Sequence, residues 1–257
     1  WRYSSAWGKS IFYLENKYVI IVAIIRRQEM NYYGLDWLII ILTFIITLGA
    51  QAYINSTYRR MKNVKSKCGM AGADVARKIL DSNGLENVKV VETGGVLSDH
   101  YDPRAKVVRL SPDVYAKSSI ASISVAAHEC GHAIQDKNNY AFLRIRNSII
   151  PLVNFASSAG YVAIVVGLFT SALGLLWLGI LLEIVILAFQ VITLPVEFNA
   201  SSRALKQLEE LKILDVNEKS KGRKMLKAAA LTYVAAVATA VLEIFRLIMI
   251  ANARNDD

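Results

Sequence analysis

A mainly α fold, a membrane helix bundle of about four spans carrying a small α+β unit, is predicted by three observations. Four apolar stretches are each long enough to cross a bilayer. A polar segment of about ninety residues, 58–147, separates the first stretch from the second. The chain is 54% hydrophobic, with a mean hydropathy of +0.34, which is high for a water-soluble protein.

The first stretch, 37–54, reads "WLIIILTFIITLGAQAYI" and contains no charged residue. At 1.5 Å rise per residue, roughly 20 such residues span the hydrocarbon core. The others are 149–170, 173–194 and 229–250. The third and fourth carry Glu183, Glu243 and Arg246. Charges inside spans are costly and normally pair within the bundle. Glu243 and Arg246 stand three apart and are expected to form a clasp that Glu183 can join.

The net charge of +9 is distributed by position and is not a nucleic-acid footprint. "YRRMKNVKSK" (58–67) follows the first span and "KGRKMLK" (221–227) precedes the fourth. Basic juxtamembrane loops stay cytoplasmic. The topology therefore places both polar segments, and any site they build, on the cytoplasmic side. Cys68 and Cys130 fall in these segments, where a reducing compartment disfavours a disulfide.

The chain begins at Trp1 and its first methionine is Met30; residues 1–29 are expected to be upstream or non-native sequence. No secretory cleavage pattern is evident, so the first span is expected to be a retained anchor.

Within 58–147, "MAGADVARKILDSNGL" (70–85) has apolar residues at helical spacing and an Asn83-Gly84 stop. "NVKVVET" (87–93) and "KVVRLS" (106–111) are strand candidates, joined through the Asp-Pro bend of "SDHYDPRA" (98–105). From Ser119 to about Asp136 the pattern is helical. The cytoplasmic piece 195–228 opens at Pro195, which suits the first turn of a new helix or a kink at the membrane surface.

The chemistry concentrates in "AAHECGHAIQ" (126–135), where two of the three histidines stand four apart. Positions i and i+4 share a helix face, so His128 and His132 can direct both imidazoles at one ion. The H-E-x-x-H pattern combines two zinc ligands with an intervening general base, here Glu129. A catalytic zinc takes three protein ligands and a water. Small residues at Ala126, Ala127 and Gly131 let another element approach closely. A hydrogen-bonded surface pair is the bland alternative. The third ligand is either His100, the remaining histidine, or Glu197 in "LPVEFNASSRAL".

These motifs, with "GADVARKILDSNGL", "LSDHYDPRAKVVRLS" and "ALTYVAA", closely resemble the bacterial YugP-type membrane zinc metallopeptidases, distant relatives of the HtpX and CAAX prenyl protease group. The resemblance runs from Met30 to near the end of the chain. It implies a zincin-like peptidase unit holding one Zn2+ per chain, with His128, His132 and Glu197 as ligands and Glu129 as base. A bacterial plasma-membrane location follows from it too, with peptides or membrane proteins as substrates. In the wider group the ligand Glu opens an E-x-x-A-D pattern whose Asp braces a zinc-bound His. Here Ser201 stands in the Asp place, so Asn199 or Ser201 is left to brace the histidine.

His100 and Tyr101 are candidates for substrate contact, with local hydrogen bonding the bland reading for His100; Arg109 is comparable. Arg203 can meet lipid phosphate or a transition-state oxygen. Cys130 is expected to pack. An intramembrane protease is disfavoured, because 119–136 is too polar to be a span and no later Asp-Gly ligand motif follows. A catalytically inactive scaffold or transporter with a retained metal site is the remaining alternative.

Overall fold

A computed structural model describes residues 33–254, and the segment 1–29 lies outside the described residues. The chain runs α1 (Tyr33–Lys62), α2 (Gly72–Ser82), β1 (Lys89–Glu92), β2 (His100–Asp102), β3 (Val107–Leu110), α3 (Pro112–Ala116), α4 (Ile120–Lys137), α5 (Ala141–Thr170), α6 (Leu173–Glu210) and α7 (Val216–Ala253). Among the described residues four helices, α1, α5, α6 and α7, are long and apolar enough to cross a membrane. Each of the four expected stretches lies inside one of them. Their outer faces present Leu38 and Ile45, each 60% exposed, and Phe155 and Phe169, each 63% exposed. Such an apolar belt is costly in water and matches hydrocarbon.

α5 and α6 form a tight antiparallel hairpin. Ser171 turns it in the left-handed conformation (φ 56°). Arg254, at the end of α7, donates to the carbonyls of Gly167 (3.1 Å) and Leu168 (3.1 Å), capping the last turn of α5.

Pro195 does not open a new helix. α6 continues through it for 15 further residues, to Glu210. Proline deprives one carbonyl of the preceding turn of its helical partner. Gln135 Nε2 of α4 donates to the Val196 carbonyl at 2.8 Å, tying the segment just past the proline to α4. Thr193 also bonds back to the Phe189 carbonyl. Residues 195–210, expected to begin a separate helix, thus continue the third long helix.

The expected clasp between charges in the long helices also differs in its partners. Arg246 grips Glu243 with two bonds of 2.9 Å, as expected, but its third contact is Asp36 of α1 at 3.1 Å. Asp36 stands one residue before the stretch read as the first span, where its partnership was invisible.

The small sheet has the order β1-β3-β2, with β1 parallel and β2 antiparallel to β3. β2 was missed: the bend region 98–105 contains a short edge strand, with His100 opposite Arg109. Three residues are too few for a period-two signal. Val108 and Leu110 of β3 pack into one core with Ile79 and Leu80 of α2 and Ile123 and Ala127 of α4. That core also takes in Leu208 of α6 and Leu226 of α7, so the α+β unit and the ends of the long helices form one body.

Candidate metal centre

α4 is set by its cap and its neighbours. The Ser119 hydroxyl accepts from the Ser122 N–H at 3.0 Å, satisfying one of the free donors of the first turn. Fifteen residues of the helix are buried, and the two histidines sit at its centre. α6 crosses directly over Gly131. A Cβ on Gly131 would lie 2.4 Å from the Ala200 carbonyl oxygen, so only glycine permits this approach. The close crossing sets Glu197 against both imidazoles.

The ligand atoms of His128, His132 and Glu197 lie within 4.8 Å of one another. His128 Nε2 is 3.2 Å and His132 Nε2 is 3.7 Å from Glu197 Oε2. Neighbouring ligands around a tetrahedral zinc stand about 3.3 Å apart, given bonds of about 2.0–2.1 Å. The donor set therefore fits such an ion. The rings meet edge to face, with centroids 4.7 Å apart and planes at 83°.

Each ring is held from behind. Ser201 Oγ is 3.2 Å from His128 Nδ1, and Gln135 Oε1 is 3.0 Å from His132 Nδ1. A carbonyl oxygen only accepts, so the His132 Nδ1–H donates and its Nε2 lone pair faces the cluster. Gln135 also donates to Asn199 Oδ1 (3.1 Å), which accepts from Arg203 Nε (2.7 Å). Ser201 and Asn199 thus both stand behind the histidines, Asn199 through Gln135. Arg203 serves that same chain. Gln135 was missed, although its i+3 spacing from His132 was a readable signal.

Glu129 is buried beside His128. Burial pushes its carboxyl up to about 7, and the nearby Asp99 and Glu197 charges push the same way. His128 and the Tyr101 backbone N–H act against this rise. Asp99 is itself raised by burial, although it accepts from the Ser111 N–H (2.7 Å) and hydroxyl (3.0 Å).

The remaining candidates are not among the three clustered ligands. His100 Nδ1 meets the Ser98 carbonyl at 2.8 Å, the local contact expected of it. The Tyr101 hydroxyl donates to Asp136 Oδ2 at 2.7 Å, so only its backbone turns towards Glu129. Cys130 packs against α2, with its thiol 3.5 Å from the Ala76 carbonyl, and Cys68 and Cys130 are free.

Fold and site together define a membrane-spanning helix bundle with a buried two-histidine, one-carboxylate cluster able to hold a metal ion. The chain belongs to the family described as "Putative neutral zinc metallopeptidase", which matches residues 36–252. It is 45% identical over 213 residues to "Putative membrane protease YugP" of Bacillus subtilis (strain 168), covering 82% of this chain and 95% of that relative. No solved structure matches the chain.

Proposed function

We propose that the protein is a membrane-embedded zinc endopeptidase that hydrolyses peptide bonds near the cytoplasmic surface of a bacterial plasma membrane. The observation that carries this reading is the convergence of His128, His132 and Glu197 within 4.8 Å, with the buried Glu129 beside them. The clustered cations at the end of α1, Arg59, Arg60 and Lys62, support the cytoplasmic orientation.

His128 and His132 offer Nε2, and Glu197 offers Oε2, to one zinc ion per chain. Zinc held there would lower the pKa of a water towards about 7 and polarise the scissile carbonyl. Glu129, buried beside His128, takes the proton of the attacking water and passes it to the leaving amine. Among the described residues β2 stands at the edge of the sheet, the place where an extended substrate peptide would align. The substrate class proposed is a peptide or an exposed segment of a membrane protein.

The test combines metal content with cleavage of a quenched fluorescent library of unstructured peptides by detergent-purified protein. About one zinc per chain is expected in wild type, with a large loss in His128→Ala and Glu197→Ala. Glu129→Gln should keep zinc and lose hydrolysis. Zinc bound with no hydrolysis in wild type would favour the inactive scaffold, and no zinc in any sample would sink the reading.

A further inference from the structure

The two histidines each lean on a second residue, and Glu197 needs the same support. Its Oε2 faces the imidazoles at 3.2 and 3.7 Å. Its other oxygen, Oε1, faces Arg146 Nη1 of α5 at 3.9 Å. The Tyr233 hydroxyl of α7 hydrogen-bonds the same carboxylate. Glu197 is only 3% exposed, so bulk water cannot take the place of these groups. At 3.9 Å Arg146 acts as a charge and Tyr233 as the hydrogen-bond donor. The Arg146 Nε is buried and makes no hydrogen bond within the protein. The guanidinium is therefore not anchored through this atom to another part of the fold.

We propose that Tyr233 and Arg146 are positioning residues for Glu197: Arg146 faces its outer oxygen, Tyr233 donates to the same carboxylate, and together they keep Oε2 turned to the imidazoles as the atom offered to a metal. This inference rests on the peptidase reading above. Its chemical consequence concerns the fourth position of the site. A catalytic zinc keeps one position open for water, with three protein ligands. A carboxylate free to turn can offer both oxygens and crowd that position. Partners outside the ligand shell fix ligand orientation, and their loss costs about 10–100-fold in metal affinity or activity. Because Arg146 comes from α5 and Tyr233 from α7, the geometry at the metal depends on packing among three long helices.

Cobalt(II) reports this directly, since its visible absorption weakens as coordination rises from four to five. Full-length protein in detergent would be loaded with cobalt as wild type, Tyr233→Phe, Arg146→Gln and Arg146→Lys. The expected result is a weaker, shifted cobalt band and metal affinity reduced about 10–100-fold in Tyr233→Phe and Arg146→Gln. Arg146→Lys, which keeps the charge, should recover part of the loss. A merely structural role would change thermal stability without moving the cobalt spectrum. Tyr233→Phe removes a single oxygen and decides the matter alone if Arg146→Gln does not fold. Wild-type spectrum and affinity in Tyr233→Phe would overturn the proposal and leave the peptidase reading intact. Failure of wild type to bind cobalt would overturn both.

Discussion

Gln135 is buried and spends its whole side chain on the site: its oxygen accepts from His132, and its amide donates to Val196 and Asn199. Gln135→Leu keeps the volume and removes all three bonds. Zinc affinity, measured by competition with a chromogenic chelator, is expected to fall about 10–100-fold. Ser201 has a lighter task, one 3.2 Å contact to His128 Nδ1. Ser201→Ala is therefore expected to weaken zinc by less than Gln135→Leu. Equal losses would show that the two histidines depend on their braces to the same degree. The histidines, Glu129 and the family pattern around Glu197 were legible because their spacing along one helix or motif carries the chemistry. Gln135 shared that helical spacing and was still passed over, because glutamine alone announces no metal role.

The α4–α6 crossing is the element on which the cluster depends. At Gly131 the added Cβ would meet the Ala200 oxygen at 2.4 Å, the carbonyl carbon at 3.0 Å and the Cα at 3.2 Å. These are backbone atoms and cannot rotate away. Gly131→Val is expected to push α6 off α4, separating Glu197 from both histidines, and to lose most bound zinc while the far-UV circular dichroism stays helical. Retention of full zinc would mean that the helices can slide without opening the cluster. The helical positions of α2 and α4 followed from apolar period, the Asn83-Gly84 stop and the turn to a helical pattern at Ser119. β2 and the continuation of α6 past Pro195 did not. A three-residue strand has no period of its own, and the packing that holds α6 past Pro195, with the Gln135 bond to Val196 in it, comes from elsewhere in the chain.

Arg246 ties α7 to α1: it is 1% exposed and bonded to Glu243 of its own helix and to Asp36 of α1. Removing one member of a buried charge cluster strands the others at about 3–5 kcal/mol. Arg246→Met is expected to lower thermal stability in detergent by an amount of that order, and an unchanged melting temperature would mean that water reaches the two carboxylates. A second whole-molecule expectation concerns metal. Bound zinc would tie α4 to α6, so chelation should destabilise the fold. The size is about 2.7 kcal/mol if free zinc had stood at 100 times its Kd. The check is the melting temperature with and without chelator, compared with His128→Ala, on which chelator should have little effect.

From the sequence alone came the mainly α membrane class, the four long apolar helices, the His128–Glu129–His132 helix and Glu197 as a ligand candidate. These are local properties: apolar length against bilayer thickness, and side chains aligned by one helical turn. The tertiary structure decided the rest. It placed Glu197 Oε2 at 3.2 and 3.7 Å from the two imidazoles, paired Arg246 with Asp36, and brought Arg146 and Tyr233 to the same carboxylate. Those partners lie between 36 and 210 positions apart in the chain. No periodicity links such residues; helix crossings alone bring them together.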